Sequence, residues 1–369
     1  MDSLDLISPK KAKNVSLKDI TIKKEKLIKC IIISLLLLYF SNIYTTFFIF
    51  NLNAKINNIN MNNHEEKKIE INKETNLNKL KNPFNNNIMK EYIERQKNFC
   101  QYPEKFYNQE YEKLIKLTNF SFRNISYQMY VYNKVDRYIS NMIIRTHQYE
   151  NIHMSNFLDI LIYYGKKNNI KKNEDIFMLD IGGNLGVYPL FLSKFGYSII
   201  TFEASPRNSY IIYKNYCRII KNPNIIIVNK GLSNKEKICN YYSQIKAIGN
   251  GAVLCDENEN ITKAGNLKLQ KEFQIKITKL SNFLPYLSNK NIALIKLDIE
   301  GGEGIVIEDA IELINKYHVP FIFTEFDPKY LEKHGTNPKK FLELFANNGY
   351  KISDKGFLNV TYLTPEEIS

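Results

Sequence analysis

Metal-ligand spacing is missing from this 369-residue chain. Its five cysteines, Cys30, Cys100, Cys217, Cys239 and Cys255, form no Cys-x-x-Cys pair and have no histidine partner pattern, so no metal site is expected. One or two disulfides are open to the four that follow Cys30, with no pairing deducible, and Cys217 reads as a core residue of a helix. No Gly-Lys-Ser/Thr follows a glycine turn, which excludes a Walker phosphate loop. There is no basic helix interleaved with aromatics, so the net charge of +13 reads as a solvated Lys-rich surface and no nucleic-acid partner is expected. Hydrophobic residues make up 44% of the chain, enough for the core of one sizeable α/β domain with extensions.

Part of the positive charge is local. The first 29 residues hold eight lysines against four acids. An apolar run then spans 28–50, broken by Ser34 and, later, by Ser41, Asn42, Thr45 and Thr46. As a helix it would reach roughly 34 Å, sufficient to cross a bilayer. Lys18, Lys23, Lys24, Lys26 and Lys29 crowd its N-terminal flank, whereas only Lys55 lies close on the other side. That asymmetry puts the N-terminus in the cytoplasm and the rest across the membrane. A cleaved signal peptide is the alternative, disfavoured by the length of the run and the lack of a clear small-x-small site. The expected organisation is a cytoplasmic tail (1–27), a signal-anchor helix (28–50), a flexible Asn- and Lys-rich stem (51–87) and a folded domain with a helical N-terminal extension (88–369). Sequons at Asn119, Asn124, Asn260 and Asn359 decide nothing in so Asn-rich a chain.

The most informative stretch is Asp180-Ile181-Gly182-Gly183-Asn184-Leu185-Gly186. It sits between an apolar run ending at Leu179 and a helical pattern starting at Val187, so strand, glycine turn and helix follow in order. About 20 residues on, a second strand ends in Glu203, the place of a ribose-binding acid in nucleotide-type folds. A pyrophosphate fingerprint reads G-x-G-x-x-G, and Asn184 stands where its second glycine belongs. A turn without a phosphate cradle fits S-adenosylmethionine, which carries adenosine and an amino acid but no phosphate.

Downstream, Pro206 to Ile220 reads as a helix, Asn224 to Val228 as a buried strand, and Gly231 to Asn234 as a third loop at the same edge. Cys239 to Tyr242 and Phe273 to Ile277 read as an antiparallel insertion, with a turn at Gly249-Asn250-Gly251. The strand Ile292 to Leu297 ends in Lys296-Leu297-Asp298-Ile299-Glu300-Gly301-Gly302-Glu303, and a later strand ends in Glu325. The alternation predicts an α/β, mostly parallel, doubly wound sheet with helices on both faces and a β insertion.

These motifs, in this order, resemble the FkbM-type methyltransferases, S-adenosylmethionine-dependent enzymes of the class I Rossmann-like fold. The matching elements are Asp180 to Gly186, Phe202 to Arg207, Ile295 to Glu303 and a late strand ending in Thr324-Glu325, with weaker likeness at Asp136 to Ser140 and Glu150. Gly183 and Gly302 stand where the family usually has alanine. The resemblance covers about 125–326 and implies O-methyl transfer to a hydroxyl of a sugar or small metabolite. It assigns Asp180, Gly182, Asn184 and Gly186 to the methionine end and turn, Glu203 to the ribose, and Ser205 and Ser233 to the adenine flanks.

For chemistry the candidates are Asp298 and Glu300, with Lys296 beside them. Either carboxylate could take the hydroxyl proton or orient the acceptor. Against this, Asp298 could orient the cofactor, Glu300 could cap a helix N-terminus, and Lys296 could be an ion-paired strand residue. His147 is the upstream histidine within conceivable reach; a surface role is its alternative. The leading expectation is a membrane-anchored methyltransferase acting on a glycan or other hydroxyl acceptor in a secretory lumen. The alternatives are a membrane-anchored glycosyltransferase and a non-catalytic binding protein on the same fold.

Overall fold

A computed structural model describes residues 45–51, 83–219, 224–244, 247–255, 263–264 and 267–354. The chain divides into two units, Met1–Thr45 and Thr46–Ser369. The expected tail, residues 28–44 of the expected anchor, and most of the expected stem lie outside the described residues.

The elements run β1 (Thr45–Asn51), α1 (Pro83–Gln101), α2 (Gln109–Leu114), β2 (Ile115–Phe122), β3 (Ile125–Tyr132), α3 (Ile139–Thr146) and α4 (Asn151–Lys167). The central part follows as β4 (Ile176–Ile181), α5 (Val187–Ser193), β5 (Ser198–Phe202), α6 (Pro206–Ile219) and β6 (Ile225–Val228). The insertion comprises β7 (Gly231–Leu232), β8 (Lys237–Gln244), β9 (Ala247–Leu254), β10 (Lys263–Ala264) and β11 (Leu267–Thr278). The chain then returns through β12 (Asn291–Leu297), α7 (Glu303–Lys316), β13 (Phe321–Phe326), α8 (Pro328–Lys333), α9 (Pro338–Asn347) and β14 (Tyr350–Ser353).

The main sheet has seven strands in the order β14-β1-β13-β12-β4-β5-β6. The pairs β13–β12, β12–β4, β4–β5 and β5–β6 are parallel, as the alternation of strands and helices predicts. Side chains alternate between two cores. Ile176 and Met178 of β4 join the core beneath α4 and α5, whereas Leu179 and Ile181 join the core beneath α7 and α9. With both faces covered, these strands read as continuous apolar runs, and β12 is one apart from its first residue and Lys296.

The structure differs from expectation at the N-terminal boundary. Thr45–Asn51, which takes in the last six residues of the expected membrane helix and the first of the expected stem, forms a strand antiparallel to β14, with Phe48 opposite Ser353. Two threonines and three phenylalanines in seven residues suit an extended backbone, and pairing with β14 satisfies its polar groups. Among the described residues no helix is long and apolar enough to cross a membrane. Helix α1 starts at Pro83, before the expected boundary at Ile88.

The insertion is an antiparallel sheet as expected, with Cys239 of β8 opposite Ile275 of β11. Gly249-Asn250-Gly251, however, lies inside β9 rather than at a turn. The glycines serve close approach: a Cβ on Gly251 would lie 2.4 Å from the Tyr241 hydroxyl oxygen. Two disulfides form. Cys100–Cys217 ties α1 to α6, so Cys217 is a bridge and not merely a core residue, and Cys239–Cys255 closes the β8–β9 hairpin.

Candidate active site

A cavity of about 290 Å³ opens at the carboxyl edge of β4, β5 and β12, the crevice where open α/β sheets bind ligands. One wall is the turn 182–186; another is the loop after β12; the insertion closes the third through Tyr241 and the 249–251 segment.

The turn is occupied by its own bonds. The N–H groups of Gly182 and Gly183 both donate to the Phe202 carbonyl, at 3.0 and 2.9 Å. Asn184 N–H donates to Glu203 Oε2 at 2.7 Å, and Gly186 N–H donates to the Gly183 carbonyl. Four amides that could have cradled a phosphate are therefore engaged. Gly182 adopts φ +88°, and a Cβ there would sit 1.8 Å from the Asp298 carbonyl oxygen, so only glycine fits.

Glu203 lines the cavity but also organises the turn. It accepts from Asn184 and, through Oε1, from Ser205 N–H at 2.8 Å. Burial raises its carboxyl to about pH 7, against the lowering effect of those donors. Ser205 departs from its assignment: it is fully buried outside the cavity lining, and its Oγ accepts from Asn208 N–H in the first turn of α6. Ser233 does line the cavity.

Lys296 is a locked cation. Its Nζ lies 2.9 Å from the Gly182 carbonyl, 3.3 Å from Asp180 Oδ1 and 3.4 Å from Asp298 Oδ2. The Asp180 contact pairs charges without an aligned hydrogen bond on Oδ1. Burial alone would lower the ammonium's pKa, but Asp298 and Asp180 outweigh it and hold it above the ordinary lysine range. Lys296 therefore cannot accept a proton; it fixes the turn and the loop by charge. Asp180, fully buried, also accepts from Thr201 Oγ1 at 2.9 Å; like Ser205, it and Gly186 lie outside the cavity lining, so Asp180 supports the turn from beneath.

The loop after β12 concentrates carboxyl groups. Asp298 is 41% exposed and follows the Leu297↔Thr324 register, which brings it beside Glu325 of β13. Burial first, then Asp298 and Glu303, push Glu300 up to about 8. Glu325 is raised by burial and by Asp298. Glu300 has φ +61°, uncommon for a residue with a side chain and a form of strain that gathers at functional loops. Glu300 does not cap α7, whose N-cap Gly302 has no side-chain cap; Glu303 in its first turn accepts the loop amide Ile299 N–H at 2.7 Å and is itself raised by burial to about 7. Among the described residues no three His, Cys, Asp or Glu converge as a metal-ligand set.

His147 does not reach the cavity. It ends α3 in a left-handed conformation, and its ring nitrogen lies 3.2 Å from the Asn119 carbonyl at the surface. The histidine that lines the cavity is His334, its pKa lowered by burial and by Lys333; His153 packs edge-on against Phe323 outside the lining, with burial lowering its pKa and Glu150 and Asp298 opposing that. Tyr149 and Tyr188 also line the cavity, and the Tyr188 hydroxyl bonds Glu150. No motif marks these residues: Tyr149 precedes α4, Tyr188 lies in the first turn of α5 and His334 follows α8.

A phosphate-free turn, an acid at the end of β5 and a carboxylate loop after β12 meet in one crevice. Residues 180–352 match the family described as the methyltransferase FkbM domain. A curated relative, "Methyltransferase 1" of Beauveria bassiana (strain ARSEF 2860), is 27% identical over 150 residues, covering 36% of this chain and 58% of the relative. The chain thus spans little more than half the length of that relative. Both comparisons support a methyltransferase in general. Within the matched segment fall the turn, Glu203 and the carboxylate loop; α1 to α4, with Tyr149 and His153, precede it.

Proposed function

We propose that the chain is an S-adenosylmethionine-dependent O-methyltransferase whose acceptor is a hydroxyl of a glycan or similar molecule on the luminal side of a membrane. The observation that carries this reading is the engagement of the Gly182, Gly183, Asn184 and Gly186 amides, which leaves an adenosine-sized crevice without a phosphate cradle. Asn184, on the cavity wall, has its Oδ1 buried without a hydrogen-bond partner, which suits the polar methionine end of the cofactor. When bound, S-adenosylmethionine supplies an electrophilic sulfonium methyl. The chain's part is to align the acceptor oxygen and to take its proton as the oxygen–carbon bond forms. Asp298, exposed to the cavity, or Glu300 would take that proton, and Lys296 pairs with the Asp298 carboxylate before it is protonated.

The two disulfides support an oxidising compartment, and residues 28–44 would supply the membrane attachment. Protease protection in microsomes tests that side: digestion of the domain in intact vesicles refutes it. Calorimetry tests the cofactor. Binding of S-adenosylhomocysteine is expected, and selective binding of a sugar nucleotide would favour the glycosyltransferase reading instead. Labelled S-adenosylmethionine offered with panels of glycans, lipids and proteins identifies the acceptor.

A further inference from the structure

The insertion reaches into the site through one short segment. The Gly249 carbonyl accepts from Asn184 Nδ2 at 3.2 Å and from Asn208 Nδ2 at 2.9 Å, so this part of β9 is bolted to the cofactor turn and to α6. The next residue, Asn250, points the other way across the crevice. Its Nδ2 donates to Glu300 Oε1 at 3.3 Å, while its Oδ1 is buried with no hydrogen-bond partner. Gly251 lets the strand run close against Tyr241, which fixes the height at which Asn250 projects. The strand is held further by Ile248 N–H to the Val135 carbonyl and by the Asp136–Ala247 bridge.

We propose that Asn250 is a positioning residue for methyl transfer, its amide aiming the Glu300 carboxyl at the acceptor from a strand anchored on the cofactor turn. The proposal rests on the methyltransferase reading of the same crevice. A glutamate in a left-handed backbone conformation has no helix or strand to orient its side chain, so an external donor must do so. Asn250 supplies a neutral one among charged neighbours: Asp298, Glu303 and Asp327 oppose ionisation of Glu300, Lys296 favours it, Glu325 shares the same cluster, and His334 packs on the adjoining Gly301. Its unpartnered Oδ1 adds an acceptor that a second hydroxyl of a polyol could satisfy.

The test uses the full chain labelled with ¹³C at the glutamate carboxyls, Glu300 being assigned by the signal lost in Glu300→Gln. A donor to the ionised form lowers a carboxyl's midpoint, so Asn250→Ala should raise that of Glu300 by about 0.5 in pH or more. Asn250→Asp should raise it further, and Asn250→Ser, which retains a donor, should restore part of the difference. An unchanged Glu300 midpoint in both Asn250→Ala and Asn250→Ser overturns the proposal. Failure of the wild-type chain to bind S-adenosylhomocysteine sinks the methyltransferase reading alone, because the titration still decides the Asn250–Glu300 contact.

Discussion

Lys296 and Asp180 stand opposite one another in the register of β12 and β4, with Nζ 3.3 Å from Oδ1. Thr201 occupies the next position in the same row on β5 and bonds the other Asp180 oxygen. A charged pair thus replaces apolar packing at the centre of the sheet, directly beneath the cavity. Removing one partner leaves the other charge buried. Lys296→Met should cost about 3–5 kcal/mol in denaturant unfolding, and Lys296→Met with Asp180→Leu should cost less than Lys296→Met alone. A double variant less stable than Lys296→Met would show that the pair does not interact as described.

Gly183 has a local explanation. A Cβ there would lie 2.1 Å from Thr201 Oγ1, so glycine accompanies the threonine that bonds Asp180. Gly183→Ala should destabilise by about 1–3 kcal/mol. Adding Thr201→Ala removes the clash, so the double variant should be less destabilised than the sum of the two single changes. Additive losses would mean that the turn shifts to avoid the contact.

Glu203 carries two duties that one substitution cannot separate. Glu203→Ala should weaken S-adenosylhomocysteine binding at least tenfold, about 1.4 kcal/mol. It should also lower stability by about 1–3 kcal/mol, because Asn184 and Ser205 lose their acceptor. Calorimetry beside chemical denaturation reads both, and unchanged affinity would remove Glu203 from the cofactor site.

Stability should fall as pH rises through neutrality. The carboxyls of Glu203 and Glu303 sit at about 7 and that of Glu300 at about 8, all above their ordinary 4.5. The folded state holds these protons more tightly than the unfolded chain, so their contribution is complete below pH 4.5 and is lost as pH climbs through 7 to 8. Glu303→Gln keeps an acceptor for Ile299 N–H without the titration. It should flatten the decline between pH 5 and 8 by up to about 3 kcal/mol, measured as unfolding free energy at each pH. An unaltered slope would place the loss elsewhere.

The disulfides make a chemical prediction. Non-reducing peptide mapping of protein made through a secretory pathway should yield the Cys100–Cys217 and Cys239–Cys255 linked peptides. Cys100→Ala with Cys217→Ala opens a loop of 117 residues and should cost about 2–5 kcal/mol. Free thiols at these four positions would overturn both pairings.

Much of the fold was legible because local rules and the global sheet agree. The apolar runs that became β4, β5, β6 and β12, each ending in a turn or an acid, imply parallel strands with their carboxyl ends in one crevice. The turn at 182–186 was legible for the same reason: glycine spacing is a backbone property. The insertion's strands were read, but not Gly249-Asn250-Gly251 as mid-strand, because a glycine needed for close approach and a glycine needed for a turn look alike in one dimension. The start of β1 was hidden by the apolar run into which it continues, since lipid and a sheet demand similar side chains.

The amino-acid sequence alone therefore determined the alternation of the parallel strands β4, β5, β6, β12 and β13 with their helices and the phosphate-free turn, which follow from short-range spacing. Tertiary structure alone decided what each of the site residues does. Lys296 became a fixed cation because Asp180 and Asp298 surround it, Glu303 rather than Glu300 took an amide after β12, Ser205 bonded the first turn of α6, and His334 rather than His147 lined the cavity. The physical reason is that charge state and reach depend on burial and on partners far apart in the chain, and no local pattern records them.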